Sequence, residues 1–286
     1  MCKKYICPIV IDCIEKDTFE ILPNVYLAKM SAEDKKDYFN IIDDIYGIGN
    51  VVVTTNDPIQ PNINDYGFRL GCDHKIIMPA AIFEQVVATL MLFKTSNFGI
   101  KYIRGDQYKD FDIIPNCLYI PKLLLSKEDI PNIRKLYSNI ALNINDEIFT
   151  KIIQSYKRIL SFSELTPDEK YRDLVVILEN LYIQGETHNI KKKLSSRVAE
   201  YFHVFYAQDY NEIYNFTKNA YSIRSSIAHS GESYFDFENK DNNEFLRLLN
   251  ITRLSILLYV EHMYAFNPDK LKLINFTDNT SSPSHS

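Results

Sequence analysis

Ile213-Tyr214-Asn215-Phe216-Thr217-Lys218-Asn219-Ala220-Tyr221-Ser222-Ile223-Arg224-Ser225-Ser226-Ile227-Ala228-His229 is the stretch that decides the fold. Ile213, Phe216, Ala220, Ile223 and Ile227 recur at intervals of three and four, the period of one helical face. Asp209 opens the helix as its cap, with Glu212 three positions on as capping partner, and Gly231 stops it. A seam of this kind must be covered by other helices, so it predicts a bundle. At about 100° per residue, Arg224 flanks the seam, and His229 lies about 140° further round, away from the bundle core. His229 also falls in the last turn of that helix.

The partners of that seam lie on either side of it. Ile148, Phe149, Ile152, Ile153, Tyr156, Ile159 and Leu160 form one helical face, in a chain that reads as wholly helical from Asp146 onward. Thr166-Pro167-Asp168-Glu169 is a helix start, with Thr166 as cap, a proline in the first position and Glu169 closing the box. Leu174, Ile177, Leu178 and Leu181 line the inner side of that helix, and Gly185 ends it as the residue past the cap. The next helix points Ile190, Leu194, Val198, Tyr201 and Phe205 inward, and a last one covers about Asn243 to Phe266.

Upstream the signals are mixed. Ile9-Val10-Ile11-Asp12-Cys13-Ile14 and Val51-Val52-Val53-Thr54-Thr55 are short and β-branched, as strands are. Ser31 to Tyr46 and the apolar run Ala81 to Lys94 read as helices. The expected fold class is α+β: an N-terminal mixed domain over 1–125, a connecting helix over 126–144 starting at Ser126 and Asp129, an all-α bundle over 145–270, and a polar, disordered tail over 277–286.

Composition narrows the function classes. The chain has 286 residues, 46% of them hydrophobic and 24% charged, as a globular protein has, and no apolar run reaches the roughly 18 residues of a membrane span. The N-terminal run Tyr5 to Ile14 is broken by Pro8 and Asp12 and lacks a small-residue cleavage site, so a cytoplasmic location is expected. A net charge of −5 argues against a general nucleic-acid coat, though not against a local basic cleft. Gly47-Ile48-Gly49 lacks the third glycine of a nucleotide-binding turn. The five cysteines fit no paired framework, and Cys72-Asp73-His74 has no second ligand pair, so neither a metal nor a cofactor is expected.

Arginine, four intervening residues and histidine is a spacing that can serve metal-free RNA cleavage. Histidine moves a proton near neutral pH, and the guanidinium fork holds the charge that develops on phosphate. Around Arg224 and His229 stand Leu178-Glu179-Asn180-Leu181, Leu194-Ser195-Ser196-Arg197-Val198-Ala199 and Tyr221-Ser222-Ile223. In order and spacing, about residues 145–265 resemble the HEPN superfamily, and most closely its Apea-like branch. The chain departs from many catalytic members at Ser225, where they carry Asn, Asp or His.

The resemblance implies a helical bundle whose catalytic residues are Arg224 and His229. It implies a homodimer in which two such histidines face one cleft, and an RNA-cleaving role in antiphage defence or a toxin-type stress response. It also places Glu179 and Arg197 near that cleft. From the residues themselves, Arg197 is a credible partner for Glu179, as a purely structural ion pair or as part of the site. Lys193 and Arg197, four apart on one helix, form either an RNA-phosphate contact or a solvated face. Tyr221 stacks a base, orients Arg224 or simply packs, and Ser225 would orient His229 or the substrate. The expectation is therefore a metal-independent endoribonuclease. The alternative is an inactive HEPN dimerisation, RNA-binding or regulatory module, with Ser225 as the feature favouring it. A third reading is a regulatory partner in a multi-gene defence system.

Overall fold

The computed structural model describes residues 6–10, 18–29, 31, 68–72, 79–95, 99–103, 109–113, 125–143, 145–160, 165–230 and 243–262. The expected strand at 51–55, the body of the expected helix after Ser31, Gly47-Ile48-Gly49, Asp73-His74 and the tail all lie outside these residues. What is described is mostly helical. It falls into two compact units, residues 1–142 with 157–164 and residues 143–156 with 165–286.

The first unit holds an antiparallel sheet. Its strands are β1 (Ile6–Val10), β2 (Thr18–Leu22), β3 (Val25–Lys29), β4 (Phe68–Cys72), β5 (Gly99–Ile103) and β6 (Lys109–Ile113), in the order β2-β3-β4-β1-β5-β6. β2 and β3 form a hairpin that turns at Pro23-Asn24, with Leu22 opposite Val25 and Asn24 at φ 63°. Asparagine tolerates that left-handed conformation, and its backbone N–H is held at 3.0 Å by the Glu20 carboxylate. The apolar run near residue 81 forms helix α1 (Pro79–Phe93), burying Phe83, Val86, Leu90 and Met91.

A short 3₁₀ turn over Lys127–Asp129 leads into α2 (Ile130–Asn143), and the Asp129 carboxylate accepts from the Ser126 N–H at 2.8 Å, as a capping box requires. The sequence sets 126–144 apart as a connector. In the structure, residues up to 142 belong to the first unit. The physical reason is tethering. The Arg134 guanidinium donates to the backbone carbonyls of Ile21 (2.9 Å) and Glu20 (2.8 Å), and Lys94 pairs with Asp129 at 2.7 Å. Ile133 and Ile140 are completely buried.

The second unit is a helical bundle of α3 (Glu147–Leu160, its last turn counted with the first unit), α4 (Pro167–Tyr182), α5 (Ile190–Tyr206), α6 (Tyr210–Ser230) and α7 (Asn243–Glu261). α5 and α6 pack most extensively on one another, while α4 touches α5, α6 and α7 and so forms the centre. The cap of α4 is the one written in its sequence: Glu169 N–H donates to Thr166 Oγ1 at 3.3 Å, and Thr166 N–H donates to the Glu169 carboxylate at 2.6 Å. Leu174, Ile177, Leu178 and Leu181 are all buried along it. α4 then ends in a tighter turn than expected. Gln184, at φ 41°, takes the left-handed place just past the cap, and Gly185, at φ 87°, follows it.

Two faces are rotated slightly from the sequence reading. On α6 the buried residues are Ile213, Thr217, Ala220 and Ile223, while Phe216 and Ile227 are only partly covered. Phe216 instead offers its ring to the Arg247 guanidinium, 4.5 Å from the centroid, a cation–π contact that suits a bundle edge. On α3, Phe149, Ile152 and Tyr156 are buried but Ile148 is 41% exposed.

Candidate active site

The site is built on the central helix and the helix that carries the arginine and histidine. Glu179 lies in the last turn of α4, and Arg224 lies three-quarters of the way along α6. Arg224 Nη2 donates to Glu179 Oε2 at 3.4 Å, with 27% and 19% of the two side chains exposed. That is long for a charge-assisted bond, which closes to about 2.8 Å when well made. Two further atoms remain buried without a hydrogen-bond partner: Nε of Arg224 and Oε1 of Glu179. The pair therefore meets at one corner only, and each member keeps an unused polar atom. Burial pushes the Glu179 carboxyl above its usual range, and the nearby Arg224 charge pulls only partly against it.

Tyr221 stands one turn before Arg224, with its ring centroid 5.8 Å from the guanidinium carbon. That contact is compatible with packing against the arginine and with orienting it. Ser225 is half-buried beside Arg224. His229 is exposed in the last turn of α6, about 7.5 Å further along the helix axis at 1.5 Å per residue. Its outward position matches the helical wheel.

Arg197 does not pair with Glu179. It donates to the Tyr182 carbonyl at 2.6 Å and to Glu186 at 2.6 Å, and Lys193 binds the other oxygen of the same carboxylate. The reason is the turn after α4. Left-handed Gln184 and Gly185 reverse the chain and bring Glu186 back over the first two turns of α5. Both cations then claim the nearer carboxylate, which they hold below the usual carboxylate range. Glu179 is left to Arg224. Lys193 and Arg197 would have to release Glu186 before either could take an RNA phosphate. Sequence reasoning missed Glu186, although its seven- and eleven-residue separations from Lys193 and Arg197 are visible once the intervening turn is known.

A cavity of about 590 Å³ opens beside Glu179, walled by Ile148, Ile152, Ile183 and Ile190 with Glu179 and Glu186. Two carboxylates against a single lysine, Lys151, whose ammonium is already paired with Glu147 at 2.6 Å, make it a poor seat for phosphate. Among the described residues no three carboxylate, histidine or cysteine side chains stand together as a metal site needs, and no helix is long and apolar enough to cross a membrane. Comparison of the chain with protein families, with characterised proteins and with solved structures gives no match.

Proposed function

We propose that the helical bundle is a metal-independent endoribonuclease of HEPN type, with Arg224 and His229 as its catalytic residues, acting in antiphage defence or a growth-arresting stress response. The observation that carries this reading is the half-made Arg224–Glu179 pair. A guanidinium that is 27% exposed, lies beside Tyr221 and is engaged by Glu179 at one corner only has an outer side that can meet a second anionic ligand. A phosphodiester, with two free oxygens, fits that fork better than one carboxylate corner does. Burial works against the charge of the Glu179 carboxylate, and Arg224 pulls the other way.

The reaction balances without further reagents. His229 takes the proton from the ribose 2′-hydroxyl, and the 2′-oxygen bonds to phosphorus. Arg224 neutralises the charge on the phosphorane. The bond to the 5′-oxygen breaks, and that oxygen takes a proton from the His229 of a second copy. The products are a 2′,3′-cyclic phosphate and a 5′-hydroxyl. Incubation of the protein with single-stranded RNA in EDTA should yield these ends. His229→Ala should lower the rate by about 10² to 10⁴, the usual contribution of a positioned acid or base. Undiminished cutting by His229→Ala, or activity lost in EDTA and restored by Mg²⁺, would refute the mechanism.

A second reading has its own observation. Arg224 already has an ion-pair partner on α4, and Lys193 and Arg197 share Glu186, as a bundle that binds RNA or a second copy without turnover would also have. RNA that is bound yet stays intact under all conditions would select it.

A further inference from the structure

The concave surface between the start of α5 and the outer face of α6 is a separate feature, about 520 Å³ in volume, and no step above uses its basic groups. Lys191, Lys192 and Lys218 line it, together with Asn189, Tyr214 and Tyr221. The chain carries a net charge of −5, yet here three lysines converge with no carboxylate in the wall. Among the described residues none of the three makes an ion pair, in contrast to Lys193 beside them, which is tied to Glu186. The aromatic rings are ordered as well. Tyr210 and Tyr214 stack at 6.0 Å with planes 16° apart, and the Lys218 ammonium lies 5.8 Å from the Tyr214 ring. Tyr210, Tyr214, Lys218 and Tyr221 follow one another at intervals of four, four and three, a single stripe along α6. It spans about 16 Å and ends one turn from Arg224.

From this arrangement we infer that the α5–α6 groove binds a single strand of nucleic acid, whose phosphates run along the three lysines and whose unstacked bases lie against Tyr214 and Tyr221. Lysines alone would suit any polyanion. The ring faces distinguish the ligand, because every base has a flat face and an acidic peptide has none. A duplex keeps its bases stacked inside and has nothing to offer the tyrosines. That the strand is RNA, and that it is threaded towards Arg224, rests on the function proposed above. The groove's chemistry does not depend on it.

The test is a binding assay in the non-cutting His229→Ala background, using a fluorescein-labelled 12-nucleotide oligouridine at about 0.1 M salt. Replacing Lys191, Lys192 and Lys218 together with serine should weaken binding at least tenfold and flatten its salt dependence, since fewer counterions are displaced. Tyr214→Ala should weaken it roughly five- to tenfold with the salt dependence unchanged. The paired control Lys127→Ser/Lys135→Ser should do nothing. A 4-thiouridine strand irradiated on the His229→Ala protein should crosslink to Tyr214 or Tyr221, a readout that needs no folded groove variant. The inference is overturned if the triple variant binds as before, if the control variant weakens binding equally, if polyglutamate or blunt RNA duplex competes as well as the single strand, or if crosslinks fall elsewhere. Groove-dependent binding in a protein that cuts no RNA would sink the nuclease and leave the groove standing. Cutting that is indifferent to the groove variants would do the opposite.

Discussion

Arg224→Met tests the central pair most directly, because it removes the charge while keeping most of the stem. At 3.4 Å and an effective dielectric of about 20, the Coulomb attraction is about 5 kcal/mol, an upper bound that desolvation largely offsets. Losing one partner costs about 3–5 kcal/mol for a fully buried pair and at most about 1 for an exposed one. With 27% and 19% of the side chains exposed, Arg224→Met should cost about 2 kcal/mol at pH 7.5, or about 4–8 °C in Tm. The pH dependence gives the sign. Glu179 has a raised pKa in the folded state, so the native protein holds that proton more tightly than the unfolded chain does. Its ionisation therefore subtracts stability as pH rises from the unfolded value of about 4.3 through the folded one. Without Arg224 the folded value climbs further and the loss deepens. At pH 4 the carboxyl is neutral in the native state, and the deficit of Arg224→Met should shrink to about 0.5 kcal/mol. Glu179→Gln alone should stay within about 0.5 kcal/mol of wild type, and added to Arg224→Met it should restore about 1.5 kcal/mol at pH 7.5. Thermal melts of all four proteins by circular dichroism at both pH values give these numbers. A deficit that is equal at pH 4 and 7.5, or that Glu179→Gln does not relieve, would show that Arg224 stabilises the bundle by packing and that the ion pair contributes nothing.

Other expectations separate scaffold from chemistry. Ile223→Ala, at a position only 4% exposed, should cost about 2–5 kcal/mol through the cavity it leaves, with the products of any remaining cleavage unchanged; urea titration measures the first and mapping of RNA ends the second. His229→Ala should melt within about 0.5 kcal/mol of wild type, as an exposed position does, and unfolding of that variant would make the histidine structural. Light scattering at tens of micromolar should give twice the mass of one chain, since an outward His229 needs a second copy opposite it; a strict monomer counts against the two-histidine mechanism.

The parts of this fold that were legible in the sequence are those decided within one helical turn or along one helical face. Thr166 and Glu169 cap α4 as read, and Asp209 accepts from the Glu212 N–H at 2.7 Å at the head of α6, although the Glu212 carboxylate goes to Arg247 at 2.5 Å and does not close the box. Caps are local, so four residues contain the information. The ion pairs were not legible, because they depend on how far each helix is rotated and on the turn between them. Arg197 goes to Glu186 because two left-handed residues fold the chain back, and nothing in the spacing of Glu179 and Arg197 announces it. The same limit moved Thr217 into the α6 seam in place of Phe216. In the sheet, the hairpin over Thr18 to Lys29 was missed although Pro23-Asn24 marks its turn, because its strands are only five residues long and carry Glu20 and Lys29 among their apolar positions.

Helix α3 has a consequence for how this chain can be divided. Its first ten residues supply Phe149, Ile152 and Tyr156 to the bundle, while its last turn and the residues up to 164 belong with the sheet-bearing unit. The chain thus crosses between units three times, and no single cut yields two intact halves. A fragment starting at 165 would lose three large core side chains, and one starting at 143 would take a stretch of the other unit with it.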